Sequence, residues 1–145
     1  MELGKVLSNN YVFRGLPKEL IAGMALLADV RDYRGGEVLV RQFDRGSDLW
    51  IILEGNARIK SFSGETIAEF GPGSVIGEIS LIDERPRSAT VVCMGNVRAA
   101  RITADVFRGF MDSNPEASSR VYANLCNVLC RRLRSMNVHV DALAS

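Results

Sequence analysis

The sequence is poor in histidine: its 145 residues include one, His139, close to the C-terminal end. That excludes most hydrolytic chemistry built on a histidine base and metal centres built from several histidines. Lysine is also scarce, three residues against fifteen arginines. Arginine favours planar, bidentate partners such as phosphate, although codon composition alone would produce such a skew. The three cysteines, Cys93, Cys126 and Cys130, form no CxxC pair. They read as reduced thiols of a cytoplasmic protein. Cys126 and Cys130 lie one helical turn apart and could share a metal or form a redox pair. No third ligand is near, so two small apolar side chains is the simpler reading, and no metal is expected. The longest apolar run, Leu20 to Ala28, is too short to span a bilayer, and the N-terminus lacks a signal-peptide core. A formal charge of +1 gives no electrostatic case for nucleic acid or an anionic membrane.

What is present is an ordinary globular composition, 47 % hydrophobic and 24 % charged, in a chain of one-domain length. Three stretches divide it. Residues 1–28 form an N-terminal helical segment, with Pro17 near a first turn and Leu20, Ile21, Met24, Leu27 and Ala28 at helical spacing. From 29 to 102 the pattern becomes short Val/Ile/Leu/Phe runs separated by glycine turns. Strands are expected near Val30–Tyr33, Val38–Arg41, Leu49–Leu53, Arg58–Phe62, Thr66–Phe70, Ala89–Cys93 and Val97–Ile102. Such spacing predicts an antiparallel sandwich or barrel.

Residues 103–145 turn helical again. Thr103 caps a short helix to Met111. A long helix follows, with either Asn114 before Pro115 or a Ser113–Glu116 capping box at its start. Along it, Tyr122, Cys126, Leu129, Leu133, Met136 and Val140 form a coiled-coil-like seam beside a second stripe of Val121, Leu125 and Val128. Two stripes predict two burial partners, the β-domain and another chain; the simpler alternative is one wide amphipathic face on a monomer. Arg120, Arg131, Arg132 and Arg134 on this helix read as a solvated basic face.

Residues 71–91, GPGSVIGEISLIDERPRSATV, carry the candidate chemistry. Glycines precede a short helix-like turn from Glu78, whose N–H groups favour an anion. Gly77 permits close backbone approach. Arg87 supplies a donor fork for two phosphate oxygens, and Ser88 adds a hydroxyl. Glu78 would repel phosphate but would accept from a sugar hydroxyl, as acidic residues do for ribose in dinucleotide folds. An Arg and a Glu in one loop therefore suggest a small phosphorylated riboside.

Gly77-Glu78-Ile79-Ser80-Leu81-Ile82, continuing through Pro86-Arg87-Ser88-Ala89-Thr90-Val91, resembles the phosphate-binding cassette of the cyclic nucleotide-binding domain family. That family includes the catabolite activator protein and protein kinase A regulatory subunits. The resemblance takes in Gly36-Glu37, Asp44, Leu53-Glu54-Gly55 and Phe70-Gly71-Pro72-Gly73, and runs from about Phe13 to Arg134. Phe43 departs from it, standing where many members have glycine. The resemblance implies an eight-stranded antiparallel β-roll of jelly-roll type with an N-terminal helix and a long C-terminal helix.

It also implies that Arg87, Ser88, Ala89 and Gly77 surround a cyclic phosphate and that Glu78 binds the ribose. Ile76, Leu81 and Val91 would be wall or hinge residues. Arg131 and Arg132 are the candidate base contacts. Ser88 after the cassette arginine points to cAMP, with cGMP as the other candidate. The implied protein is a non-enzymatic cytoplasmic sensor that moves its C-terminal helix. It would act through a homodimer or an effector protein, with no membrane partner. The alternative is the ligand-binding part of a Crp/Fnr-type transcription regulator; no recognition helix follows the long helix here, so direct nucleic-acid binding is not expected. An iron–sulfur sensor is excluded, since no cysteine precedes Cys93.

Overall fold

The computed structural model describes residues 3–60, 63–78, 80, 84–87 and 89–144, with side chains as far as Arg134 apart from Arg132. Strands β1 (Asp29–Tyr33), β2 (Val38–Val40), β3 (Leu49–Glu54), β4 (Ala57–Lys60), β5 (Thr66–Phe70), β6 (Val75–Ile76), β7 (Thr90–Cys93) and β8 (Val97–Ile102) build two four-stranded sheets. One sheet has the order β1-β8-β3-β6 and the other β2-β7-β4-β5, and every pairing is antiparallel. This is the expected eight-stranded β-roll with flanking helices. The sequence pattern misses β6, because two residues show no alternation. Phe62, expected at the end of β4, lies outside the described residues.

Period-2 alternation divides the core in two. Leu49 and Ile51 of β3 and Val75 of β6 face a core shared with the helices. Ile52 and Ile76, their neighbours on those strands, face the interior of the roll with Val40, Ala57, Val91 and Ala99. Gly55, in the β3–β4 turn, has φ +88°, and a Cβ there would meet the Asn96 carbonyl oxygen at 2.3 Å, so the turn requires glycine.

The N-terminal segment is two helices, α1 (Leu3–Asn9) and α2 (Lys18–Leu27), rather than one. The break is fixed by Asn10, a buried polar residue. Its Oδ1 accepts from Val12 N–H at 2.9 Å, which turns the chain, and its Nδ2 donates to Gly73 O at 2.6 Å. Helix α3 (Ala104–Ser113) is capped by Thr103, whose hydroxyl accepts from Val106 N–H. Helix α4 (Pro115–Ala144) begins with Pro115 in its first turn, and Ser118 N–H donates to Asn114 O, which favours the Asn114 start. Ala117, Val121 and Leu125 bury one stripe of α4 in the helical core. Phe13 meets Phe107 of α3 with ring centroids 6.4 Å apart. Asn124 of α4 donates to Val12 O and Arg14 O, tying α4 to the N-terminal turn. No helix among the described residues is long and apolar enough to cross a membrane.

Phe43 has φ +74° and is 67 % exposed. The turn keeps the left-handed conformation that glycine adopts freely, although a phenylalanine occupies it. Two backbone hydrogen bonds hold it there, Phe43 N–H to Arg87 O and Arg87 N–H to Asp44 O. Phe43→Gly relieves the strain and removes little packing. It is expected to stabilise the chain by up to about 1 kcal/mol, read as a rise in the urea midpoint at unchanged slope; a fall would contradict the strain.

Candidate functional site

Beyond β6 the chain crosses Gly77, is helical at Glu78 and Ser80, and is described again from Glu84 as an irregular arm that leads to Arg87 and β7. Glu84 N–H donates to Ser80 O at 3.0 Å, and Glu84 itself has φ +57°, which ends the turn. The arm is stapled to the β2–β3 loop by the paired bonds between Arg87 and Phe43–Asp44. Gln42 N–H adds a bond to Thr90 Oγ1.

The arm delivers Arg87 to the inside. Arg87, Glu78 and Ser80 are each 5 % exposed, among the few polar side chains in the interior. The Arg87 guanidinium donates from Nη1 to Gly77 O at 3.1 Å and from Nη2 to Asp48 O at 2.9 Å. Its Cζ lies 5.7 Å from the Trp50 ring centroid, a cation–π distance. Burial pushes the Arg87 pKa down, and the charges of Asp48 and Glu78 push it back up. The guanidinium nonetheless stays charged, as arginine does in proteins. It is thus a permanent cation held by carbonyl dipoles and facing a carboxylate. Gly77, with φ +98°, is compulsory here: a Cβ would stand 2.5 Å from Asp48 O and 2.8 Å from Arg87 Nη1.

Ile76, Gly77, Glu78, Arg87, Ala89 and Val91 line one cavity of about 90 Å³. Six sequence-assigned residues therefore meet. Ser88 and Leu81 lie outside the described residues. Of the candidate base contacts, Arg131 is exposed on α4 and outside the cavity lining, and the Arg132 side chain lies outside those described. The sequence pattern does not single out Val40, Ile59, Phe70 and Ser80, which complete the lining. Of these, Ser80 is the legible one, since it stands inside the cassette. Ile59 and Phe70 come from β4 and β5 and reach the cavity only through sheet pairing. Asp48 and Trp50 also escape the sequence pattern, since nothing in their local sequence marks them.

Arg87 touches the sole tryptophan of the chain. A ligand that draws the guanidinium away changes the indole environment, so Trp50 emission is expected to shift in intensity or wavelength on saturation with cAMP. An unchanged spectrum at saturation would show that Arg87 keeps its place over the ring.

Residues 30–114, more than half of the chain, match the family model of the cyclic nucleotide-binding domain. The chain belongs to that family, a regulatory ligand-binding domain and not a catalytic one. It is 27 % identical over 139 residues to the CRP-like cAMP-activated global transcriptional regulator of Mycobacterium tuberculosis, covering 93 % of this chain and 60 % of that protein. It is 30 % identical over 130 residues to glutaminase 2 of Bradyrhizobium diazoefficiens, covering 90 % of this chain and 21 % of that protein. The solved catabolite activator protein of Thermus thermophilus superposes with a TM-score of 0.77 at 29 % identity, covering 93 % of this chain and 63 % of that one. The chain thus spans less than two thirds of these relatives, and with the glutaminase it shares only this domain region.

Proposed function

We propose that the chain is a cAMP sensor whose output is the position of its C-terminal helix. The observation that carries this reading is the burial of one permanent cation, Arg87, and one carboxyl residue, Glu78, in the lining of a single cavity. A cation and a sugar-hydroxyl acceptor side by side match a ribose cyclic phosphate. Arg87 takes the phosphate, assisted by Gly77, Ser88 and Ala89, and Glu78 accepts from the ribose 2′-hydroxyl. Ile76, Leu81 and Val91 form the apolar wall. The cavity lies well below the roughly 300–1,000 Å³ of a pocket that encloses a whole small molecule. It therefore receives the phosphate and ribose while the base remains at the mouth. There α4, through Arg131 or Arg132, closes over it.

The readout passes through a second copy of the chain or an effector protein, in cytoplasmic signal transduction of a bacterial type. The similarity to the Mycobacterium regulator favours cAMP over cGMP. It also supports a second reading, in which this domain is the ligand-binding part of a transcription regulator.

Titration calorimetry with cAMP, cGMP and guanosine tests the proposal. The expected result is one cAMP per chain, weaker cGMP and no guanosine binding, since guanosine lacks the phosphate. Guanosine binding as tight as cAMP would remove the role given to Arg87. No binding of either cyclic nucleotide would overturn the reading.

A further inference from the structure

Trp50 stands behind the cassette arginine and is held from three directions. On β3 it lies opposite Ile76 of β6, so its side chain shares the face that looks into the roll. Strand β3 is paired on both sides, to β8 and to β6. The indole packs on the roll core, and its Nε1–H donates to Tyr33 Oη at 3.2 Å. The ring is therefore fixed in place by a mid-sheet strand, a core and a hydrogen bond.

Arg87 rests against this ring. Its Cζ lies 5.7 Å from the ring centroid, while its η nitrogens donate to Gly77 O and Asp48 O. Among the described residues the cavity lining includes Arg87 and not Trp50. The ring thus acts on a ligand only through the guanidinium. The contacts that hold Arg87 differ in what a phosphate does to them. Gly77 belongs to the cassette, so its carbonyl travels with the arginine. The Asp48 carbonyl is one hydrogen-bond acceptor, which a phosphate oxygen replaces in kind. Nothing replaces the ring, because the phosphate end of a cyclic nucleotide has no aromatic face. A cation–π contact is also strongest where the cation is desolvated, and Arg87 is 5 % exposed.

We infer that Trp50 is a positioning residue that competes with the ligand for Arg87, and so sets how strong an anion the cassette requires. The ligand-free chain keeps the guanidinium on the ring, and a bound phosphate draws it off. A riboside without phosphate offers the guanidinium nothing and leaves it there. This rests on Arg87 being the phosphate residue of the proposed function.

Trp50 is the only tryptophan of the chain, so a tryptophan analogue incorporated during synthesis labels this position alone. Mono-, di- and trifluorotryptophan withdraw electron density from the ring face in steps at nearly constant shape. A packing role stays as it is, while a cation–π contact fades. Calorimetry with cAMP on the full 145-residue chain reads the affinity, and the Arg87 Nε–H resonance reads the ring contact. The expected affinity rises with each fluorine, to about fivefold tighter at three. The Nε–H resonance is expected upfield in the ligand-free chain and downfield with cAMP. Fluorine also sharpens the indole N–H as a donor, so the series is repeated in Tyr33→Phe, where the same rise is expected. Affinity that is flat or falls across the series, a rise that vanishes in Tyr33→Phe, or a resonance that cAMP does not move would overturn the competition and leave Arg87 as the phosphate residue. No cAMP binding by the unsubstituted chain would overturn the proposed function and the competition together.

Discussion

Arg87→Ala is expected to weaken cAMP binding at least hundredfold. The fork makes two charge-assisted hydrogen bonds to the cyclic phosphate, each worth about 1.5–3 kcal/mol. Arg87→Lys keeps the charge but loses the fork, and is expected to lose tenfold or more. Truncation also has a cost in the ligand-free chain. Arg87 holds the carbonyls of Gly77 and Asp48 and faces Glu78 from inside the fold. Removing it takes the donor away from two partly buried carbonyl oxygens, a loss of roughly 1–3 kcal/mol. Calorimetry must therefore be paired with a urea melt of the same variant. Glu78→Gln serves as the companion, since it keeps the shape and a neutral acceptor; its expected loss is about tenfold. A folded Arg87→Ala chain that binds cAMP within threefold of wild type would remove the site assignment.

The local part of this arrangement is legible in the sequence and the long-range part is not. Gly77, Glu78, Arg87, Ala89 and Val91 lie in one continuous segment, so a single motif names them. The alternation of residue types along β3 likewise distinguishes its two faces. By contrast, Ile59 and Phe70 line the cavity because β4 pairs with both β5 and β7. No local pattern specifies which strands pair. The two-residue β6 exists because it meets Trp50 and Ile51 of β3. The break between α1 and α2 depends on Asn10 reaching Gly73, 63 residues away. The α4 seam is readable as a repeat, but tertiary packing decides which of its two stripes the body covers.

Asp48 is where this long-range logic has its largest expected effect. Its backbone carbonyl accepts from Arg87 Nη2 at 2.9 Å, while its side chain serves the helical side of the molecule. Oδ2 accepts from Arg101 Nε at 2.9 Å and from Arg101 Nη2 at 2.5 Å, and Oδ1 accepts from Ala104 N–H at 3.1 Å. Arg101 belongs to β8 and Ala104 is the first residue of α3. One loop residue thus touches the cassette arginine, the last strand of the roll and the first free amide of the helix that leads to α4. Asp48→Ala removes a partly buried charge pair and an α3 end contact, and is expected to cost about 3 kcal/mol in a urea melt. The Arg87 contact survives, because it is made by the backbone. Affinity for cAMP should therefore stay within about fivefold of wild type, far from the loss on removing Arg87. What should disappear is the transmission. Cyclic AMP is expected to alter hydrogen exchange across 104–128 in the wild type and much less in Asp48→Ala. Asp48→Asn, which keeps the acceptors and loses the charge, should fall between them. An Asp48→Ala chain that loses cAMP as severely as Arg87→Ala would make Asp48 part of the binding machinery. One whose exchange response at 104–128 matches wild type would exclude it from the route between cassette and helix.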